Sequence, residues 1–125
     1  MITGEVGGGL SLEEGQKAAR MTALSILATL QDALEDLDRN KRFLAVFGMV
    51  NVAPGFTQTP AVIDGCSNLL VEVFGDAGRH SRSAVGLAEL PFGIAVEIEL
   101  TARLHAQRRR LAPGAWRALD GRPGP

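Results

Sequence analysis

The chain of 125 residues predicts an α+β domain in which two helices share one face of a β-sheet. Two segments repeat apolar residues at three- and four-residue steps behind helix-start signals, and three others are apolar runs or alternate strictly. Their order is helix, strand, helix, strand, strand, which suits a two-layer packing of helices on a sheet. At this length a single core is expected and a second catalytic domain is not.

Ser11 and Glu14 have the spacing of a capping box, in which each side chain accepts a hydrogen bond from the other residue's backbone N–H. A helix should begin at Leu12. Ala19, Ala23, Ile26, Leu30, Ala33 and Leu37 then form one apolar stripe, with Arg20, Gln31 and Asp38 on other faces. Gly15 costs the first turns up to about 1 kcal/mol relative to alanine without abolishing the element. Residues 1–10, with three consecutive glycines at Gly7, Gly8 and Gly9, read as a flexible entry. A glycine run can cradle phosphate, but that loop ends in Gly-Lys-Ser/Thr, and here Leu10 and Ser11 follow.

Residues 36–41 are charged and turn-like, and residues 42–51 (RFLAVFGMVN) are apolar at nearly every position, as in a strand buried on both faces. Pro54 and Gly55 mark a loop. Thr59 offers a helix N-cap with Pro60 at the first helical position, where its missing N–H is not needed. Val62, Cys66, Leu69, Leu70 and Val73 share a face, and Gly75 suits the end of a helix over residues 60–74. Residues 81–89 form a candidate strand closed by Leu90-Pro91, since proline does not sit inside a central strand. Residues 93–104 alternate, with Ile94, Val96, Ile98 and Leu100 on one face and Ala95, Glu97, Glu99 and Thr101 on the other.

Thirteen basic against fourteen acidic side chains give a net charge of −1, which argues against a surface built throughout for nucleic acid. No apolar run approaches a membrane span, and the first residues lack the pattern of a secretory leader. The single Cys66 excludes an intramolecular disulfide and fits a reducing compartment, so a cytoplasmic protein is the expectation. Residues 105–125 change character, with five arginines among glycines and prolines, and read as a disordered or poorly packed extension. Within it, Arg108 to Arg110 and Trp116 are suited to phosphate contact and base stacking, a weak nucleic-acid signal. Three strands are few to cover two helices, and a strand apolar on both faces needs a second cover, so a homo-oligomer is inferred.

A chemical site, if present, falls in residues 78–99, GRHSRSAVGLAELPFGIAVEIE. Arg82 has only the small Ala84 and Gly86 beside it on its strand face, which leaves room in front of its guanidinium. Glu97 and Glu99, two residues apart, point to one side of what reads as the adjacent strand. A permanently charged planar donor near a carboxylate suits a small anionic substrate held beside a water-activating base. A cross-strand salt bridge between Arg82 and Glu97 or Glu99 is the purely structural alternative. His80 is a candidate acid/base, or a solvated loop histidine. Cys66 reads as a small core residue.

Beyond these local readings, TGEVGGGLSLEEGQKAAR (3–20), LEDLDR (34–39), MVN (49–51), APGFTQTPAVIDGCSNLLVEVFG (53–75) and residues 78–99 occur in a specific order and spacing. Together they resemble the RidA/YjgF family of reactive-intermediate imine/enamine deaminases, also described as L-PSP-like endoribonucleases, in the branch with a GRHxRSAVG signature. The resemblance implies a chorismate-mutase-like α+β fold and a homotrimer with sites in clefts between subunits, using no metal or organic cofactor. It also implies hydrolysis of 2-imino or 2-enamino acids to 2-oxo acids and ammonium. Arg82 matches the arginine that clamps the substrate carboxylate, and Glu97 the glutamate that positions the attacking water.

Asp64 lies near a position where many members of the family have asparagine, and it joins Arg82 and Ala84 in the implied substrate-binding set. Two departures stand out. Ala84 occupies the place of a cysteine found in many deaminases, so no thiol role carries over. Family members also begin earlier, with strands that complete the sheet and part of the cleft wall, and this chain is expected to lack them. A non-catalytic member that binds small carboxylates or senses metabolites is the alternative.

Overall fold

A computed structural model describes residues 1–105. The remainder of the arginine-rich extension, with Arg108 to Arg110 and Trp116, lies outside the described residues.

Helix α1 spans Leu12–Leu34, and its capping box forms as the spacing predicts. The Glu14 backbone N–H donates to Ser11 Oγ, and the Ser11 backbone N–H donates to Glu14 Oε1, both at 3.1 Å. Its buried face is Gly15, Ala18, Ala19, Ala23 and Leu27. The expected stripe therefore holds only through Ala23. Ile26 and Leu30 are half-buried, Ala33 is exposed, and Leu37 falls in a separate 3-10 turn. The sequence repeats apolar residues along the whole helix, but the far turns have little beneath them to close the stripe.

Strand β1, Asn40–Asn51, is the centre of a three-stranded sheet ordered β2-β1-β3. Helix α2 (Thr59–Phe74) carries the chain across to β2 (Ser81–Leu87), which lies parallel to β1. Parallel neighbours require such a crossover. Strand β3, Val96–Leu104, runs antiparallel on the other side of β1. The chain reaches it by passing the end of β1, where the Asn51 backbone N–H donates to Ala95 O at 2.8 Å and its side-chain amide donates to Ile94 O at 3.3 Å. Strands β2 and β3, expected to be adjacent, are thus separated by β1. Alternation tells which residues share a face, but not which strand lies beside which.

The core forms where Phe43, Val46 and Val50 of β1 meet Val62, Ile63, Cys66 and Leu70 of α2, all essentially inaccessible. Phe43 and Phe74 add an edge-to-face aromatic pair with ring centroids 5.1 Å apart. A Cβ on Gly48 would sit 2.5 Å from Ile63, so the helix rests directly on the strand there. Val73, expected on the buried face of α2, is half exposed. The other face of the sheet is uncovered within one chain: Phe47 is 41 % exposed, so β1 is buried on one face rather than two.

Two local expectations are corrected. Helix α2 starts one residue early, with Gln58 at the cap and no side-chain capping bond. The Thr59 hydroxyl donates instead to Ala84 O on β2 at 3.0 Å, because that carbonyl lies within reach. Residues 1–10 are not a loose entry. The Val6 backbone N–H donates to Asn51 O at 2.8 Å, the Gly4 N–H donates to Gly93 O at 2.9 Å, and Val6 is fully buried. The glycine run is a turn: Gly7 has φ +87°, and a Cβ there would meet the Phe56 ring at 2.7 Å.

Candidate functional site

On β1, Val46, Gly48 and Val50 face the helices, so their ladder partners Arg82, Ala84 and Gly86 on β2 face them too. Arg82 accordingly reaches toward α2. Its Nη1 donates to Asp64 Oδ1 at 2.7 Å and to Ser67 Oγ at 3.3 Å. Asp64 and Ser67 are three residues apart on one helix, a spacing that brings both side chains to one face. Among the described residues these bonds occupy two of the five guanidinium N–H groups. The cluster sits at the outer edge of the sheet, with Arg82 26 % and Asp64 44 % exposed.

His80 extends the cluster. Its Nε2 lies 2.9 Å from Ser67 Oγ, and its Nδ1 lies 2.6 Å from Gly78 O. The histidine is held by two contacts and half-buried, which corrects the expectation of a solvated loop residue. Ser67 went unnoticed in the sequence, although the three-residue spacing from Asp64 would have aligned it. Ala84 lies on the face of β2 that bears Arg82, half-buried against the core. Buried Cys66 has its thiol pushed up to about 11 by desolvation, with Arg82 pulling weakly the other way, so it stays protonated at neutral pH.

Glu97 and Glu99 lie elsewhere. Glu97 pairs in register with Met49, and Glu99 with Phe47, on the uncovered face of β3. Arg82 and these carboxylates therefore occupy opposite sheet faces with β1 between them, and the cross-strand bridge that was the structural alternative does not form; Asp64 is the partner of Arg82. Glu97 lines a broad, largely apolar groove of about 760 Å³ with Met21, Ile26 and Leu30 of α1. Arg82 and Glu99 line a separate hollow of about 300 Å³ with Phe47, Ser81, Ser83 and Thr101. Among the described residues no group of three or more potential metal ligands comes together. Nor is any helix there long and apolar enough to cross a membrane.

Two helices across one face of a mixed sheet, with an arginine cluster at the parallel edge, define a small α+β domain of chorismate-mutase-like type. Residues 1–104 match the family described as "YjgF/chorismate mutase-like, putative endoribonuclease". The chain belongs to this family. Among its relatives, Protein TCP17 of Trypanosoma cruzi is 47 % identical over 105 residues, a match covering 83 % of this chain and 66 % of that protein. The crystal structure of Atu1372 from Agrobacterium tumefaciens, a protein of unknown function, superposes with a TM-score of 0.82 at 40 % identity, covering 84 % of this chain and 68 % of that one. A "putative endoribonuclease" from Shewanella oneidensis MR-1 gives a TM-score of 0.80 at 34 % identity, covering 83 % and 69 %. The chain thus spans about two thirds of the length of these relatives.

Proposed function

We propose that the protein hydrolyses small 2-imino or 2-enamino acids to 2-oxo acids and ammonium, in a cleft formed when copies of the chain assemble as a homotrimer. The substrate carboxylate binds the free N–H groups of Arg82, flanked by Asp64 and Ala84, and Glu97 orients the attacking water. One observation carries this reading: a partly exposed arginine with unused donors at the sheet edge, beside hydrogen-bonding side chains. The opposite placement of Arg82 and Glu97 supports a shared cleft, since the Glu97 serving one Arg82 then comes from another copy. The uncovered sheet face with exposed Phe47 supports assembly. A net charge of −1 argues against a surface built throughout for an RNA backbone.

Mixing tests the shared cleft. Arg82→Ala and Glu97→Gln proteins, each nearly inactive on 2-iminobutanoate generated in situ, are expected to regain a substantial fraction of wild-type turnover once unfolded and refolded together. Turnover by the wild type with no recovery in the mixture would place both residues in one protomer's site. Saturable 2-oxobutanoate binding without wild-type turnover would favour the carboxylate-binding alternative.

Asp64 sets the affinity. Its carboxylate shares the guanidinium with the substrate, and two like charges about 5 Å apart with water between and around them repel by about 1 kcal/mol. Asp64→Asn is therefore expected to bind 2-oxobutanoate about fivefold tighter by calorimetry, and weaker binding would refute the competition.

A further inference from the structure

The hydrogen bonds around Arg82 continue into a histidine that the imine reading leaves unused. Gly78 O, 2.6 Å from His80 Nδ1, can only accept, so Nδ1 carries the ring proton. In the neutral ring Nε2 is then a bare lone pair, and Ser67 donates its hydroxyl hydrogen to it across 2.9 Å. The same Ser67 oxygen accepts from Arg82 Nη1 at 3.3 Å. That hydroxyl is oriented at both ends, and one lone pair remains for a third partner. The lone pair therefore lies on a hydroxyl already bonded to Arg82, the group proposed to hold the substrate carboxylate.

We propose that Ser67 and His80 form a proton relay beside Arg82, which takes a proton from the attacking water and returns it to the departing nitrogen. The relay rests on the imine reading and deepens it by naming where the proton goes, while Glu97 orients the water. The substrate is the iminium form of the 2-imino acid. Water oxygen bonds to C2 and the C=N electron pair moves to nitrogen. One water proton passes to Ser67 Oγ as the Ser67 hydrogen passes to His80 Nε2, leaving a neutral carbinolamine and an imidazolium. The relay then reverses and protonates the nitrogen. The C–N bond breaks with its pair on nitrogen, the carbinolamine hydroxyl closes to C=O, and its proton goes to solvent. Ammonia and the 2-oxo acid leave, and the ring is neutral again.

The charged surroundings suit this cycle. From α2 the ring meets Ser67, whose hydroxyl also accepts from Arg82 of β2, itself paired with Asp64 at 2.7 Å. On the turn before it, Arg79 is paired with Asp76 at 3.1 Å, and farther along α2 Glu72 is paired with Arg20 at 3.1 Å. With these three ion pairs closed, none of the six charged groups presents an unbalanced charge to the ring.

His80→Asn keeps a donor where Nδ1 stood, and His80→Gln keeps a polar group near Ser67, but neither is a base. Both are expected to lower kcat about 100-fold with KM within about threefold, and to abolish the acidic limb of kcat against pH. Ser67→Ala should lose about tenfold, and added imidazole should restore part of the activity of His80→Ala. Thermal melts and 2-oxobutanoate affinity establish that each variant is folded. Wild-type turnover with unchanged kcat in these variants overturns the relay and leaves the imine reading standing; no wild-type turnover overturns both. Should the variants not fold, nitrogen NMR of the two histidines in the wild type decides: the Nδ1–H tautomer at His80 supports the relay, and the Nε2–H tautomer overturns it.

Discussion

Arg82→Ala is expected to lower kcat/KM for 2-iminobutanoate by about 100- to 1,000-fold. A carboxylate on the remaining N–H groups of a guanidinium gains charge-assisted hydrogen bonds of about 1.5–3 kcal/mol each, and two of them at the weaker end, about 3–4 kcal/mol together, account for that range. Arg82→Lys keeps the charge but presents a point donor rather than a planar fork, so an intermediate loss of about tenfold is expected. Stability should hardly change. The Arg82–Asp64 pair is partly exposed at 26 % and 44 %, and pairs in such positions contribute about 0–1 kcal/mol. Activity and thermal midpoint measured on the same preparations separate the effects. Activity of Arg82→Ala within threefold of wild type would remove the arginine from the proposed site.

Gly65→Ala should be among the most destabilising single changes in the chain. A Cβ at Gly65 would lie 2.1 Å from the Gln16 carbonyl oxygen, a backbone atom of α1 that has no rotamer with which to yield. The helices would have to part where Gln16 Nε2 also donates to Ala61 O at 2.9 Å and where Gly15 rests on Val6 and Val62. Overpacking against backbone costs about 3 kcal/mol or more, which in a domain of this size lowers the melting temperature by roughly 12–24 °C. Gly9→Ala is the control, since nothing lies within 4 Å of a Cβ there, and it should melt within about 2 °C of wild type. Equal melting temperatures would mean that the helix crossing is looser than the contact implies.

Elements whose signals are local were legible in the sequence. Ser11 and Glu14 marked the start of α1 because a capping box is closed within one turn, and Gly75 marked the end of α2 because a left-handed backbone favours glycine. Arg82 was singled out for its charge and its small neighbours, yet its partners were misjudged. Asp64 lies eighteen residues away and Ser67 fifteen, on a helix rather than a strand. No periodicity in β2 encodes which helix turn will stand above it. The N-terminal segment was misread for a related reason. Its glycines signal flexibility only while Phe56 and Asn51 are out of reach, and both belong to distant parts of the chain.

By itself the sequence determined the element types, the two helices on one face and the family. All of these follow from periodicity, caps and motif order, which act over a few residues or survive as a pattern. Only the tertiary structure decided that β1 separates β2 from β3, that Arg82 and Glu97 face opposite ways, and that Asp64, Ser67 and His80 surround the arginine. Strand order depends on where a crossover helix and a connecting turn deliver the chain. Those long-range contacts are selected by the burial of the whole core, and no local stretch records them.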